Sequence, residues 1–341
     1  MRRSVWTAVF LGVFGKFLIL QANATIDASL QMQLGNPSGA LADTNNHAHY
    51  LIQRTVEAID YSDNLGGPVW ASWDLTTNDF GTVTRSTTYV TDTNLPANFY
   101  RVTTTDYNGV GTNLFNRGHL CPSDDRRDTR QDNDTLFFMS NIMPQSAANN
   151  QGVWGNFEDY CRSLTTNSEL LIICGPSGFG ARTIPSGKAY IGSNTWKVVV
   201  CVPLGGGTAL SRITAATRVI AVSIPNVTNG LSSAWQTYVT SPKKIEQDTG
   251  FTFFTALPAD VAAVFRAEID GAPTFSAFTL TNNQFRFMVN GWGGSNYVVQ
   301  AATNLATPNW ISLTTNAAPF LFIQTNASSF GQRFYRAKIG P

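Results

Sequence analysis

The stretch Asn116-Arg117-Gly118-His119-Leu120-Cys121-Pro122-Ser123-Asp124-Asp125-Arg126 sets one imidazole between two arginines. Gly118 carries no side chain, so backbone or substrate can come close beside the ring. Arg117 and Arg126 hold permanent charge and planar donor forks that suit phosphate. An unperturbed imidazole titrates at about 6.5, so His119 is a reasonable general base for phosphate-ester cleavage. Taken alone, an Arg-Gly-His tripeptide fits an ordinary histidine at a strand end equally well. The decision lies further along the chain.

There the sequence reads Phe137-Phe138-Met139-Ser140-Asn141-Ile142-Met143-Pro144-Gln145, then Asn149-Asn150-Gln151-Gly152-Val153-Trp154, then Glu158. Amides in succession are poor helix formers and offer neutral oxygens to a hard cation. Mg²⁺ keeps several waters and needs few protein oxygens, so one Asn suffices as direct ligand, with Glu158 acting through water. Eight residues of ideal helix would part Asn150 from Glu158 by about 12 Å. A shared site therefore requires a bend at Gln151-Gly152.

Together the two stretches resemble the DNA/RNA non-specific endonucleases, the ββα-metal nucleases. That family carries Asp-Arg-Gly-His, and about thirty residues later an Asn-x-x-Pro-Gln and an Asn-Gln-Gly-x-Trp ending in a glutamate. Gly81-Thr82-Val83-Thr84-Arg85, Ile184-Pro185-Ser186, Trp196-Lys197-Val198, Ile224-Pro225-Asn226 and Thr249 to Phe254 extend the likeness over residues 34–258. The resemblance implies an α+β, ββα-metal fold with a central antiparallel sheet. It implies His119 as general base, Asn150 as metal ligand, Glu158 as orienter of water at the metal, and Arg85 and Arg117 as phosphate contacts. Mg²⁺ is the implied ion with Mn²⁺ as substitute, DNA and RNA the substrates, 5′-phosphates the products, and a homodimer an open option. Asn116 departs from the family's Asp, which bears on how the Arg-Gly-His turn is positioned.

The rest of the chain gives context. Met1-Arg2-Arg3, an apolar run from Val5 to Leu20, and Ala22-Asn23-Ala24 describe a signal peptide over 1–24, with export to the cell exterior or periplasm and a first residue at Thr25. No later stretch is long and apolar enough to span a bilayer. Losing Arg2, Arg3 and Lys16 turns 23 basic against 22 acidic residues into 20 against 22, so nucleic acid must be met by a local site rather than bulk charge. Cys121, Cys161, Cys174 and Cys201 are an even set in an exported chain, and the expected pairing is Cys121 with Cys161 and Cys174 with Cys201.

Leu170 to Cys174, Trp196 to Val202 and Arg218 to Ile224 read as buried strands of one sheet. Tyr50 to Arg54 and Trp70 to Trp73 stay open between strand and short helix. Ser241 to Gly250 is a helix with Ser as N-cap, Pro at the first position and Gly past the end. A nuclease domain over 25–271 then gives way to a small all-β, sandwich-like accessory module over 274–341, marked by alternating apolar residues such as Phe285, Phe287 and Val289. His47 and His49 lack further ligands nearby and read as a solvated loop. Two rivals remain. Gly175-Pro176-Ser177-Gly178 is part of a serine nucleophile elbow but has Phe179 where a glycine is needed. A catalytically silent nucleic-acid or surface-binding protein would tolerate Asn116, yet retains His119, Arg117, Asn150 and Glu158.

Overall fold

The computed structural model describes residues 28–109 and 115–340, and the segment 1–24 lies outside the described residues. In chain order the first nine strands are β1 (Tyr50–Gln53), β2 (Ala58–Ser62), β3 (Gly67–Leu75), β4 (Phe115–His119), β5 (Ile142–Ser146), β6 (Ser168–Thr183), β7 (Tyr190–Pro203), β8 (Arg218–Pro225) and β9 (Val239–Thr240). The helices are α1 (Ala28–Gln31), α2 (Arg130–Thr135), α3 (Gly155–Leu164), α4 (Ala209–Arg212), α5 (Pro242–Thr249) and α6 (Ala259–Ala267). Seven strands, ordered β1-β2-β3-β6-β7-β8-β9, form one antiparallel sheet, while β4 and β5 pair separately.

Both faces of the large sheet are covered, which is why its central strands read as continuous apolar runs rather than alternating ones. On one face Trp73, Ile172, Val199 and Ile220 pack against Leu120, Phe137, Trp154 and Phe157 from the β4–β5–α3 layer. On the other, Trp70, Ile173, Trp196 and Val198 pack against Ile245, Phe253, Phe254 and Phe265. β3 is buried at almost every position, so its sequence carries no period by which strand and helix could be told apart. α5 has the ends its sequence specifies: the Ser241 hydroxyl accepts from the Lys244 N–H, Pro242 opens the helix, and Gly250 closes it at φ 78°.

β10 (Thr274–Thr281), β11 (Gln284–Asn290), β12 (Asn296–Ala302), β13 (Ile311–Ala317), β14 (Phe320–Gln324) and β15 (Phe334–Ile339) form two three-stranded sheets around Phe287, Val289, Tyr297, Val299 and Phe322. These two sheets meet the rest of the chain at a built joint. Asp270 accepts from Arg218 Nε and Nη2, each at 2.7 Å, and from the Trp292 indole N–H at 2.9 Å. Trp292 stands edge-on to Trp235 at 5.9 Å. Gly271 has φ +73°, and a Cβ there would lie 2.1 Å from the Trp292 ring.

The disulfide expectation fails. All four thiols are unpaired and buried. Cys174 pairs in register with Lys197 and Cys201 with Leu170, so the two cysteines sit on adjacent strands but four residues apart along them. At about 3.4 Å per residue that is roughly twice the Cα separation a disulfide spans. Cys121 lies beside Cys174 instead, whose Sγ donates to the Leu120 carbonyl at 3.5 Å. Burial pushes each thiol above its ordinary range. Among the described residues no helix is long and apolar enough to cross a membrane.

Candidate active site

β4 delivers the Arg-Gly-His segment by pairing with β5, Gly118 opposite Met143 and His119 opposite Ile142. Gly118 is required by this close approach: a Cβ there would sit 2.1 Å from Gln145 Oε1. Gln145 Nε2 donates to Asn149 Oδ1 at 2.8 Å, and Asn149 Nδ2 donates to Thr195 Oγ1 and the Pro225 carbonyl, both at 3.0 Å. Asn149 is thus tied down on three sides. Its neighbour Asn150 is fixed by that anchoring.

The helical segment Asn149–Trp154 changes course at Gly152 (φ −105°, ψ −112°) before α3 begins at Gly155. This is the bend that a site shared by Asn150 and Glu158 demands. With it in place, Arg85, Arg117, His119, Asn150 and Glu158 all line one cavity of about 360 Å³. Arg126 does not join them. It is buried and donates to the carbonyls of Val56, Asp74 and Asp125, so its role is to tie the loop after β4 to the sheet.

His119 is enclosed by aromatic rings, with Phe137 edge-on at 4.7 Å and Tyr89 at 5.5 Å. Its Nε2 is buried without a hydrogen-bond partner. Burial, reinforced by the Arg85 charge, lowers its pKa to about 3. Burial disfavours the cation, so the ring is a neutral proton acceptor across the physiological range.

The two arginines at the cavity are held by rings and carbonyls rather than by carboxylates. Arg85 stacks on Phe137 at 5.1 Å, and Arg117 on Tyr89 at 5.2 Å with Nη2 donating to the Thr104 carbonyl. Among the described residues neither guanidinium has a carboxylate within 4.0 Å, so both are free to take a phosphate. Glu158 meets the buried Lys197 ammonium at 3.3 Å, and that ammonium also lies 4.4 Å from the Trp154 ring. Burial raises the Glu158 pKa and Lys197 opposes the rise.

Asn150 Nδ2 donates to Asn116 Oδ1 at 3.2 Å, leaving Oδ1 as the atom able to meet a cation. Asn150, Glu158 and Asp124 give the cavity wall oxygen donors, the ligand chemistry of a hard divalent cation. Among the described residues no three His, Cys, Asp or Glu side chains form a metal cluster. Tyr89, Ser123 and Asp124 also line the cavity, and no motif in the sequence marks them for it. Tyr89 comes from an irregular segment with no periodic or motif signal.

The other histidines lie elsewhere. His47 Nδ1 pairs with Asp63 at 2.8 Å and His49 Nδ1 with Asp60 at 2.7 Å on the loop before β1. Ser177 lies within β6, not at the strand-to-helix turn that a nucleophile elbow needs.

The DNA/RNA non-specific endonuclease family matches residues 36–260. A nuclease of Nostoc sp. is 37% identical over 243 residues, spanning 71% of this chain and 86% of the relative. Human mitochondrial endonuclease G is 38% identical over 93 residues, covering 27% of this chain and 30% of its own. The fold of EndoG, solved in complex with EndoGI, superposes with a TM-score of 0.57 at 19% identity, over 67% of this chain and 92% of that one. The chain therefore belongs to the DNA/RNA non-specific endonucleases, and it is a nuclease, a hydrolase of ββα-metal fold.

Proposed function

We propose that the protein is an exported, divalent-cation-dependent endonuclease that cuts DNA and RNA with little sequence preference and leaves 5′-phosphates. The observation that carries this is the convergence of a neutral imidazole, two guanidinium groups without carboxylate partners and oxygen donors on one cavity. Arg85 and Arg117 bind and orient the scissile phosphate. His119 accepts the proton of the attacking water. Asn150 would hold the cation through its amide oxygen, and Glu158, kept in place by Lys197, would order water at that site. Mg²⁺, or Mn²⁺ in its stead, would supply neutralisation of the charge developing on the leaving 3′ oxygen. Phosphates carry no base identity, so contacts of this kind make cleavage nearly sequence-blind. End-group analysis tests the product: fragments should accept label from a polynucleotide kinase only after phosphatase treatment, and fragments labelled directly would refute 5′-phosphates. Export rests on the first 24 residues, and N-terminal sequencing of exported protein should begin at Thr25 rather than Met1.

Asn116 is a positioning residue in this scheme. Two facing amides can exchange donor and acceptor by rotation, so Asn116 also permits an arrangement in which Asn150 presents its NH₂ to the cation. An aspartate can only accept, which fixes Asn150 with its oxygen toward the metal. Asn116→Asp should therefore leave turnover equal or higher and lower the Mg²⁺ needed for half-activity by up to about tenfold, the low end of outer-partner effects. A lower activity with unchanged Mg²⁺ demand would contradict this role.

The module over 274–341 is read as accessory. A protein ending near Gly271 keeps Asp270 and its Arg218 pair but loses Trp292. It should retain most activity on oligonucleotides while unfolding at lower temperature. A folded truncation with no activity would show that the module serves the chemistry.

A further inference from the structure

Most basic side chains of the nuclease unit are neutralised where they stand: Arg54, Arg126, Arg162, Lys197, Arg212 and Arg218 each meet a carboxylate. Among the described residues, Arg85, Arg101, Arg117, Arg182 and Lys188 have no such partner within 4.0 Å in the unit. Arg101 is half-buried and directs its donors to the Leu95 carbonyl. The remaining four are tied by their contacts to the cavity, to β4 or to the segment 100–107 that packs beside β4.

Arg85 and Arg117 line the cavity. Arg182 lies over the ring of Phe115, the residue just before Asn116 on β4, at 4.6 Å. Lys188 lies over Tyr100 at 4.8 Å. Both belong to the far end of the β6–β7 hairpin, and both are exposed. That end is not a loose flap: Ile184, Ala189 and Ile191 share one small core with Val102, Tyr107 and Phe115. Lys188 also faces the charge of Asp106, but that carboxylate accepts from the Tyr100 hydroxyl and the Thr103 N–H and forms no ion pair with Lys188 within 4.0 Å. Cations braced on aromatic rings keep their charge and most of their donors for a ligand, where those paired with carboxylates do not.

We infer that the end of the β6–β7 hairpin is a phosphate-binding arm, over which the substrate strand leaving the cavity passes Phe115 and lays its flanking phosphates on Arg182 and Lys188. The inference rests on the nuclease reading and adds where the strand runs. It also explains how a chain of near-neutral net charge holds a polyanion: four unpaired cations on one path act where the paired ones are silent.

The test is the salt dependence of binding to a fluorescent 20-base-pair DNA duplex, measured by anisotropy in the His119→Ala background. Arg182→Ala with Lys188→Ala should reduce the steepness of log Kd against log salt by about 1.8, at about 0.9 per lost phosphate contact on duplex. Arg182→Lys should keep most of the parent slope. Lys243→Ala with Lys244→Ala makes the same change in net charge at α5, where both lysines are paired with carboxylates, and should leave the slope unmoved. Equal slopes in the two double variants, or a parent slope retained without Arg182 and Lys188, would overturn the arm while leaving the nuclease reading intact. A parent protein that neither binds nor cuts nucleic acid would overturn both.

Discussion

His119→Ala should lower turnover on plasmid DNA by at least about 10²-fold, or about 2.7 kcal/mol of barrier, the low end of what a positioned general base contributes. No other histidine can replace it, because His47 and His49 sit in carboxylate pairs on the loop before β1 and neither lines the cavity. Substrate affinity should change little, since phosphate is gripped by Arg85 and Arg117, whose own contacts do not pass through the imidazole. The loss should therefore appear in kcat and not in KM. In the parent protein the ring stays neutral as pH falls through 6.5, because its pKa is lowered to about 3. An NMR titration that follows the imidazole signal missing from His119→Ala checks this, and a midpoint near 6.5 would mean the ring is solvated.

Asn150→Ala should abolish activity at low Mg²⁺ and recover part of it at high Mg²⁺, for a different reason. The substitution removes the amide oxygen that would meet the cation and leaves Asn116 without its partner, while Glu158 and its Lys197 pair remain. Calorimetric titration with Mg²⁺, free of any substrate, should show binding weakened at least about tenfold, and this readout separates metal loss from damage to the base. Parent-like Mg²⁺ binding in an inactive Asn150→Ala protein would show that Asn150 acts on the substrate instead.

Much of the architecture was legible because local chemistry and tertiary context agree. The β-branched runs of β6, β7 and β8 are strands because both faces of the sheet are covered, and α5 begins and ends where Ser241, Pro242 and Gly250 say it must. The bend at Gly152 is legible as a demand of the chemistry, because Asn150 and Glu158 cannot share a site on a straight helix. Other features were not. An even cysteine count gives no register, and it is register that parts Cys174 from Cys201. Arg126 reads as a partner of His119 by nearness in sequence, yet the short helical turn after Pro122 sends it into the sheet to satisfy backbone carbonyls. Tyr89, the unpaired state of Arg182 and the Glu158–Lys197 pair all depend on contacts between distant segments. Composition and spacing cannot report such contacts.

The most direct test of the central claim needs only purified protein, supercoiled plasmid and a structured RNA. Incubated with Mg²⁺, both substrates should be degraded to short fragments without preferred cut sites, and chelator should stop the reaction. Intact plasmid and RNA in Mg²⁺ and in Mn²⁺, or cleavage that continues unchanged in chelator, would contradict the account.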